Sequence, residues 1–220
     1  MYRYQLINNH YVVSIDGSLY FIDTGCPNSF STKGGIEIDG KHYIASSLSN
    51  DQLAFTRQLV GAKVDGLIGM DILSRTSLTI YKDGRLEFGS INAEGRVIEL
   101  AYPRLWPLGI KCTLSNGKEA VAIIDTGAMI YYGKYPDCFK KENFVGEFED
   151  YNPVLGKMKS RFYSQTLTVA NRRVTVPVGD SMAASNQALR FPNAAIVMNV
   201  TELFDETVVF DFSSKRIIFN

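Results

Sequence analysis

Two carboxylates stand in matched positions, Asp23 in Asp23-Thr24-Gly25 and Asp125 in Asp125-Thr126-Gly127, 102 residues apart in a chain of 220. Each closes an apolar run, Leu19-Tyr20-Phe21-Ile22 before the first and Val121-Ala122-Ile123-Ile124 before the second. An acid at the end of a buried strand is costly unless it is hydrogen-bonded or paired. Two acids in equivalent contexts are therefore expected to be each other's partner. Carboxylates about 3 Å apart cannot both ionise, so such a pair shares one proton and titrates as a unit. One member can then act as a base while the other acts as an acid.

The elements that would position them repeat. A strand, a tight turn and a second strand precede each acid: Val12–Ile15, Asp16-Gly17 and Ser18–Ile22, then Ile110–Leu114, Asn116-Gly117 and Glu119–Ile124. Asp-Gly and Asn-Gly between apolar runs are strong hairpin signals. Each half then ends on an apolar run, residues 65–73 and 193–201, followed by a hairpin, Leu78–Phe88 and Val208–Phe219. An order repeated over half a chain marks two copies of one plan. Residues 1–100 and 101–220 are the predicted units, with the Pro- and Gly-rich stretch 89–109 around Trp106 crossing between them. The middle sections differ. The first contains a hairpin over Gly35–Ile44 about Asp39-Gly40, then a helix over Asn50–Val60 capped by Asn50 or Asp51 and ended by Gly61. The second contains strands near Ser160–Ala170 and Arg173–Val178, turning at Asn171-Arg172.

These motifs resemble those of the aspartic protease clan, the pepsin-like and retropepsin-like enzymes. Phe21-Ile22-Asp23-Thr24-Gly25, Ile124-Asp125-Thr126-Gly127-Ala128 and the apolar-apolar-glycine run Leu67-Ile68-Gly69 carry the likeness. It covers the whole chain in plan and suggests a small, single-chain, two-lobed member of bacterial type. The resemblance implies an all-β, bilobal pepsin-like fold, two related barrel-like lobes with short helices. It implies an endopeptidase in which Asp23 and Asp125 activate water against an extended peptide or protein substrate, with no cofactor and no metal. Thr24 and Thr126 would bond across the lobe interface, and Gly25 and Gly127 would let backbone approach the acids. The hairpin Gly35–Ile44 would form a flap, with Tyr43 facing the substrate or packing on its own lobe.

The residue after each glycine is Cys26 and Ala128. A thiol is a weak donor and a methyl none, so neither favours the charged carboxylate as a hydroxyl would. The expected pH optimum is less acidic than pepsin's. One departure is expected to matter. Aligning 65–73 with 193–201 sets Val197 opposite Gly69, which raises a rival reading, a catalytically impaired pepsin-like module that binds peptides or partners.

Composition narrows the remaining classes. With 23 basic and 23 acidic residues the net charge is zero, with no basic block, which argues against a nucleic-acid or membrane-surface partner. No apolar stretch approaches the ~20 residues that span a bilayer. Residues 1–13 alternate and form no signal-peptide core, and three cysteines suit a reducing compartment, so a cytoplasmic monomer is expected. With two histidines and no nucleophile motif, triad chemistry has little support. Cys26 reads as a buried thiol rather than a nucleophile. Asn199-Val200-Thr201 matches a glycosylation sequon but sits in a predicted buried run.

Overall fold

A computed structural model describes residues 1–89, 91, 94–134, 140–152, 156–180 and 187–220, with backbone alone for 149–152 and 156–158. The chain is all-β with short helices. In the first half come β1 (Tyr2–Ile7), β2 (His10–Ile15), β3 (Ser18–Ile22), β4 (Phe30–Ser31), β5 (Gly35–Ile38) and β6 (Lys41–Ile44). Helix α1 (Asn50–Val60), β7 (Gly66–Ile68), helix α2 (Met70–Leu73), β8 (Leu78–Tyr81) and β9 (Arg85–Phe88) complete it. After β10 (Arg96–Glu99) the second half runs β11 (Gly109–Leu114), β12 (Glu119–Ile124), β13 (Tyr131–Gly133), β14 (Phe144–Asn152), β15 (Gly156–Val169) and β16 (Arg172–Gly179). It ends with β17 (Ala194–Met198), β18 (Thr207–Asp211) and β19 (Arg216–Phe219).

Tight turns set the register of the opening strands. Asn8-Asn9 and Asp16-Gly17 have left-handed φ values of 46°, 64°, 49° and 76°, the geometry that a two-residue hairpin turn demands. The Asp-Gly turn was legible in advance. The Asn-Asn turn, and with it the β1–β2 hairpin, was not. Then β3 takes β7 as a parallel neighbour, pairing Ile22 with Ile68, and β12 takes β17, pairing Ile124 with Met198. All four side chains are fully buried. A strand covered on both faces is apolar throughout rather than alternating, which explains the uninterrupted runs before each acid.

The strands form two large sheets. One has ten strands in the order β10-β19-β18-β8-β9-β1-β2-β3-β7-β4. The other runs β11-β12-β17-β13-β16-β15-β14, and an added β11–β15 pairing closes six of its strands into a barrel. The predicted boundary at residue 100 falls just after β10, between the sheets. The closing hairpin β18–β19 nevertheless leaves the second half and joins the first half's sheet, through Val208 opposite Ile80 and Val97 opposite Ile218. The halves therefore share a sheet, and one buried cluster runs from Tyr11 to Phe219 through both.

Several local expectations need correction. The cap of α1 is Ser49, whose Oγ accepts from Gln52 N while Gln52 Oε1 accepts from Ser49 N, a reciprocal capping box that displaces Asn50 and Asp51 from the role. Gly61 ends the helix as expected, at φ 73°. The β15–β16 turn falls on Ala170-Asn171, one residue earlier than predicted. The crossing segment contributes strand β10, which the prolines around it obscured. The β14–β15 hairpin, which pairs Phe144 with Tyr163 and Asn152 with Gly156 and carries a register shift between Phe144 and Gly146, was not foreseen. Among the described residues no helix is long and apolar enough to cross a membrane.

Candidate active site

The parallel pairs deliver the two acids to one place. Just past β3, Asp23 N donates to Ile68 O at 3.0 Å, and just past β12, Asp125 N donates to Met198 O at 2.9 Å. Each tripeptide then turns back on its own carboxylate. Gly25 N and Cys26 N donate to Asp23 Oδ1 at 3.0 and 2.9 Å, and Gly127 N donates to Asp125 Oδ1 at 2.9 Å. The carboxyl of each acid occupies the space beside the other tripeptide's glycine. A Cβ on Gly25 would collide with the carboxyl of Asp125, and one on Gly127 with that of Asp23. Both acids are part-buried, surrounded by protein but open to solvent on one side.

Burial raises the pKa of both carboxyls, and the charge of Asp125 lifts Asp23 further, well above the ordinary carboxylate range. Backbone donors from Gly127 and from Gly25 and Cys26 oppose the shift without cancelling it. The pair consequently keeps one proton to higher pH than isolated carboxylates would. A group that can both give and take a proton at one point is the result.

Thr24 and Thr126 cross-bond beneath the acids. Thr24 N donates to Thr126 Oγ1 and Thr126 N to Thr24 Oγ1, both at 3.0 Å. The hydroxyls donate onward, Thr24 Oγ1 to Ile124 O at 3.0 Å and Thr126 Oγ1 to Ile22 O at 2.9 Å. Both residues are fully buried, so every polar atom in this ring is satisfied by the other half of the chain. The ring fixes the separation of the acids by tying together the carbonyls immediately before them.

The expected mismatch at Val197 does not occur. In the parallel register Ile68 corresponds to Met198, so Gly69 corresponds to Asn199 and Val197 to Leu67. The error lay in aligning two runs of equal length without allowing for a two-residue offset. Val197 is an ordinary buried residue of β17. The ground it offered for an impaired site is removed.

Asn199 is the functional-region residue that sequence reasoning passed over. In the first half Gly69 lies so close to the acid loop that a Cβ would meet Asn28 O and Cys26 O, and the next residue's amide, Met70 N, donates directly to Cys26 O at 2.9 Å. In the second half the asparagine side chain is inserted into that contact. Its Nδ2 donates to Thr126 O at 3.1 Å, Ala128 O at 3.3 Å and Asn9 O at 2.8 Å, while its Oδ1 accepts from Val200 N at 2.7 Å. Asn9, in the β1–β2 turn, adds its own Nδ2 to Ala128 O at 3.2 Å. Full burial of Asn199 also rules it out as a glycan acceptor in the folded chain. Asn199→Ala is expected to leave the Val200 amide and two loop carbonyls short of partners. The cost should be about 2–4 kcal/mol in urea unfolding. Wild-type stability in that variant would show the side chain to be dispensable.

Other predicted residues fall as follows. The hairpin β5–β6 packs Ile36 and Ile38 into the core, and its turn is held to β1 by Tyr2 Oη, which donates to Asp39 Oδ1 at 3.0 Å and accepts from Asp39 N at 3.1 Å. Tyr43 lies part-buried against the same core. Cys26 donates its thiol to Asn28 O at 3.2 Å, and burial followed by the charge of Asp23 pushes its pKa up to about 12. A protonated thiol is a poor nucleophile, which agrees with its reading as a packed residue. His10 is buried against Phe21 with its pKa pushed down by burial, and His42 is exposed on β6. Cys138 lies outside the described residues. Trp106, read only as part of a crossing, donates Nε1 to Gly25 O at 2.9 Å and so braces the first tripeptide.

Comparison with protein-family models finds no match, and comparison with curated proteins finds no significant match.

Proposed function

We propose that the chain is an aspartic endopeptidase of pepsin-like fold, hydrolysing peptide bonds with water activated between Asp23 and Asp125. The observation that carries the reading is the reciprocal seating of the two carboxyls, each against the other tripeptide's glycine above the Thr24–Thr126 ring. The shared sheet built from strands of both halves and the parallel pairs that end at the acids support the fold.

The chemistry follows from one proton on two carboxyls. The ionised member takes a proton from water as the oxygen attacks the scissile carbonyl carbon. The protonated member gives its proton to the carbonyl oxygen, and a neutral tetrahedral diol forms. Collapse of the diol returns a proton from one hydroxyl to a carboxylate and delivers the other carboxyl's proton to the leaving nitrogen. The C–N bond breaks, and the pair is left with the single proton it began with. No group beyond the two acids and water is required.

Cleavage of a diverse peptide mixture across about pH 3.5 to 7.5, read by mass spectrometry, tests the proposal over a range that starts near the reference carboxylate values. The wild-type protein should cut. A folded protein that cuts nothing at any of these pH values would overturn the assignment. The pH profile is a separate prediction. Both carboxyls are raised by burial, and neither Cys26 Sγ nor the Ala128 methyl donates to them. The single-proton state should extend upward in pH, and the activity maximum should lie above about pH 3.5. A maximum below that value would mean that hydroxyl-like donation to the acids is supplied by other groups.

A further inference from the structure

We infer that Asn9, in the β1–β2 turn of the first half, is a positioning residue for Asp125 of the second half, acting through the carbonyl of Ala128. The role rests on the hydrolase reading, whereas the contacts that define it stand apart from that reading. Three hydrogen bonds meet at Asn9. Its Nδ2 donates to Ala128 O at 3.2 Å, its Oδ1 accepts from Thr201 Oγ1 at 3.2 Å, and its backbone O accepts from Asn199 Nδ2 at 2.8 Å. The next residue, His10, is fully buried, and the carbonyls of Ile7, Asn8 and Gly127 surround its ring. The turn therefore meets the second acid loop at two consecutive residues, Gly127 and Ala128.

Ala128 is held from both sides. Its N–H donates to Asp125 O at 3.1 Å, closing the turn that brings Gly127 N to the Asp125 carboxylate, and its own carbonyl accepts from Asn9 and Asn199. The corresponding carbonyl of the first loop, Cys26 O, accepts from the backbone amide Met70 N at 2.9 Å. Two side-chain bonds of 3.2 and 3.3 Å replace that backbone bond in the second half, at the long end of the normal range. The second loop is thus the less firmly seated of the two, and one of its two restraints comes from the opposite half.

The side chain of Asn9 is not needed to satisfy buried groups. Without it Ala128 O keeps Asn199 Nδ2, and the single hydrogen of the Thr201 hydroxyl turns to Glu202 Oε2, 2.9 Å away. A hydrogen bond is costly to lose chiefly when it strands a partner, and neither partner is stranded here. What is lost is the second direction in which Ala128 is held. Thr201 acts one step further out. The Ala128 carbonyl admits only the donor end of the Asn9 amide, and the Thr201 hydroxyl takes the acceptor end.

The test measures kcat and KM on one cleaved peptide and follows the acid pair by 13C NMR titration of the full-length chain labelled at its aspartate carboxyls. Asn9→Gly removes the side chain but keeps the left-handed φ of 64° and the carbonyl that Asn199 bonds. Asn8→Gly is the control, a neighbouring turn residue with φ 46° whose side chain makes no hydrogen bond among the described residues. Thr201→Val removes the hydroxyl beside Asn9 Oδ1, and Thr201→Ser retains it. Asn9→Gly should lower kcat by about ten- to hundredfold, the effect of displacing a reacting group by ~1 Å, and leave KM within about twofold. The carboxyl step that reports repulsion between the acids should move down by about half a pH unit, as the same displacement predicts. The unfolding midpoint should stay within about 4 °C of wild type. Asn8→Gly should match wild type throughout. Thr201→Val should lose part of kcat, Thr201→Ser should not, and adding Thr201→Val to Asn9→Gly should cost nothing further.

Unchanged kcat and titration in Asn9→Gly, a loss carried by KM, or an equal loss in Asn8→Gly would overturn the inference and leave the hydrolase reading standing. Should Asn9→Gly fail to fold, Thr201→Val decides. Wild-type kcat and titration there would overturn the inference, and a loss that is absent from Thr201→Ser would support it. A wild-type chain that cuts nothing would overturn the hydrolase reading, and the NMR titration would then decide by itself whether Asn9 sets the geometry of the acid pair.

Discussion

Replacing either Asp23 or Asp125 by Asn should lower kcat/KM for peptide hydrolysis by about 10³-fold or more while making the protein more stable at neutral pH. The first effect follows because an amide can neither take a proton from water nor hand one to a carbonyl, and groups acting as a unit fail together. The second follows from the sign of the shifts. Both carboxyls have folded-state pKa values raised above their unfolded values, chiefly by burial. The folded state therefore holds protons more tightly than the unfolded state. Below the unfolded value, near 3.9, the pair costs nothing in charge. As pH rises from there through the raised folded values, stability is lost, and above them the full penalty remains. At pH 7 each Asn variant should gain about 1–3 kcal/mol over wild type in urea unfolding. At about pH 3 the gain should vanish, because the wild-type carboxyls are then protonated in both states. An inactive variant with no gain at pH 7 would separate the two effects and show that the acids are not held at a cost. Function placed on a destabilised site is a common trade, and here the two halves of it are measurable in one protein.

How much of this was legible in the sequence differs by element, for physical reasons. The hairpin signals worked where they rest on φ: Asp16-Gly17 lies in the left-handed region because its residue types tolerate it. The Asn8-Asn9 turn has the same geometry without a glycine, so its signal was weaker and the first hairpin was missed. The helix was placed correctly over Asn50–Val60 because its end is marked by Gly61, yet its cap was assigned to Asn50 or Asp51 instead of Ser49, since three capping residue types stand together at Ser49-Asn50-Asp51. Only the three-dimensional reciprocity with Gln52 separates them. The joining of β18–β19 to the first half's sheet had no local mark at all, because pairing partners in a sheet are set by long-range packing rather than by residue type.

The candidate site divides along the same line. The acids, glycines and threonines were found because their types repeat and their spacing is matched. Asn199 and Trp106 were not, because each acts once, through a side chain bonded to backbone far away in sequence: Asn199 to Asn9, and Trp106 to Gly25. A repeat hides what is unique to one copy. The asymmetry has a usable signal in retrospect. Where one half has glycine in close contact with its acid loop, the other half must either match it or replace the contact with a side chain that can satisfy the same backbone groups. Asparagine, carrying both an acceptor and two donors, is suited to that substitution, and valine is not.

Gly25→Ala and Gly127→Ala should each reduce kcat/KM by about 10²-fold or more, for a reason distinct from the loss of an acid. Neither glycine has a left-handed φ, so the requirement is for space and not for backbone freedom. A methyl on Gly25 would overlap the carboxyl of Asp125, and a methyl on Gly127 would lie 2.5 Å from Asp23 Cγ. The neighbour in each case is the short side chain of an acid on the opposite half, and the Thr24–Thr126 ring beneath holds both loops too firmly for the backbone to yield freely. The acid itself must rotate away. Its separation from its partner then grows, the mutual repulsion that lifts Asp23 weakens, and the proton is released at lower pH. Two readouts should therefore move together: activity should fall, and the alkaline limb of the pH–rate profile should shift to lower pH. Gly17→Ala is the control, since Gly17 has a left-handed φ of 76° and nothing within 4 Å of a new Cβ. It should cost about 1 kcal/mol of stability through strain and leave the pH profile in place. Retained activity with an unshifted profile in both Gly25→Ala and Gly127→Ala would show that the acids do not need the space those glycines leave, and the shared-proton account would fail with it.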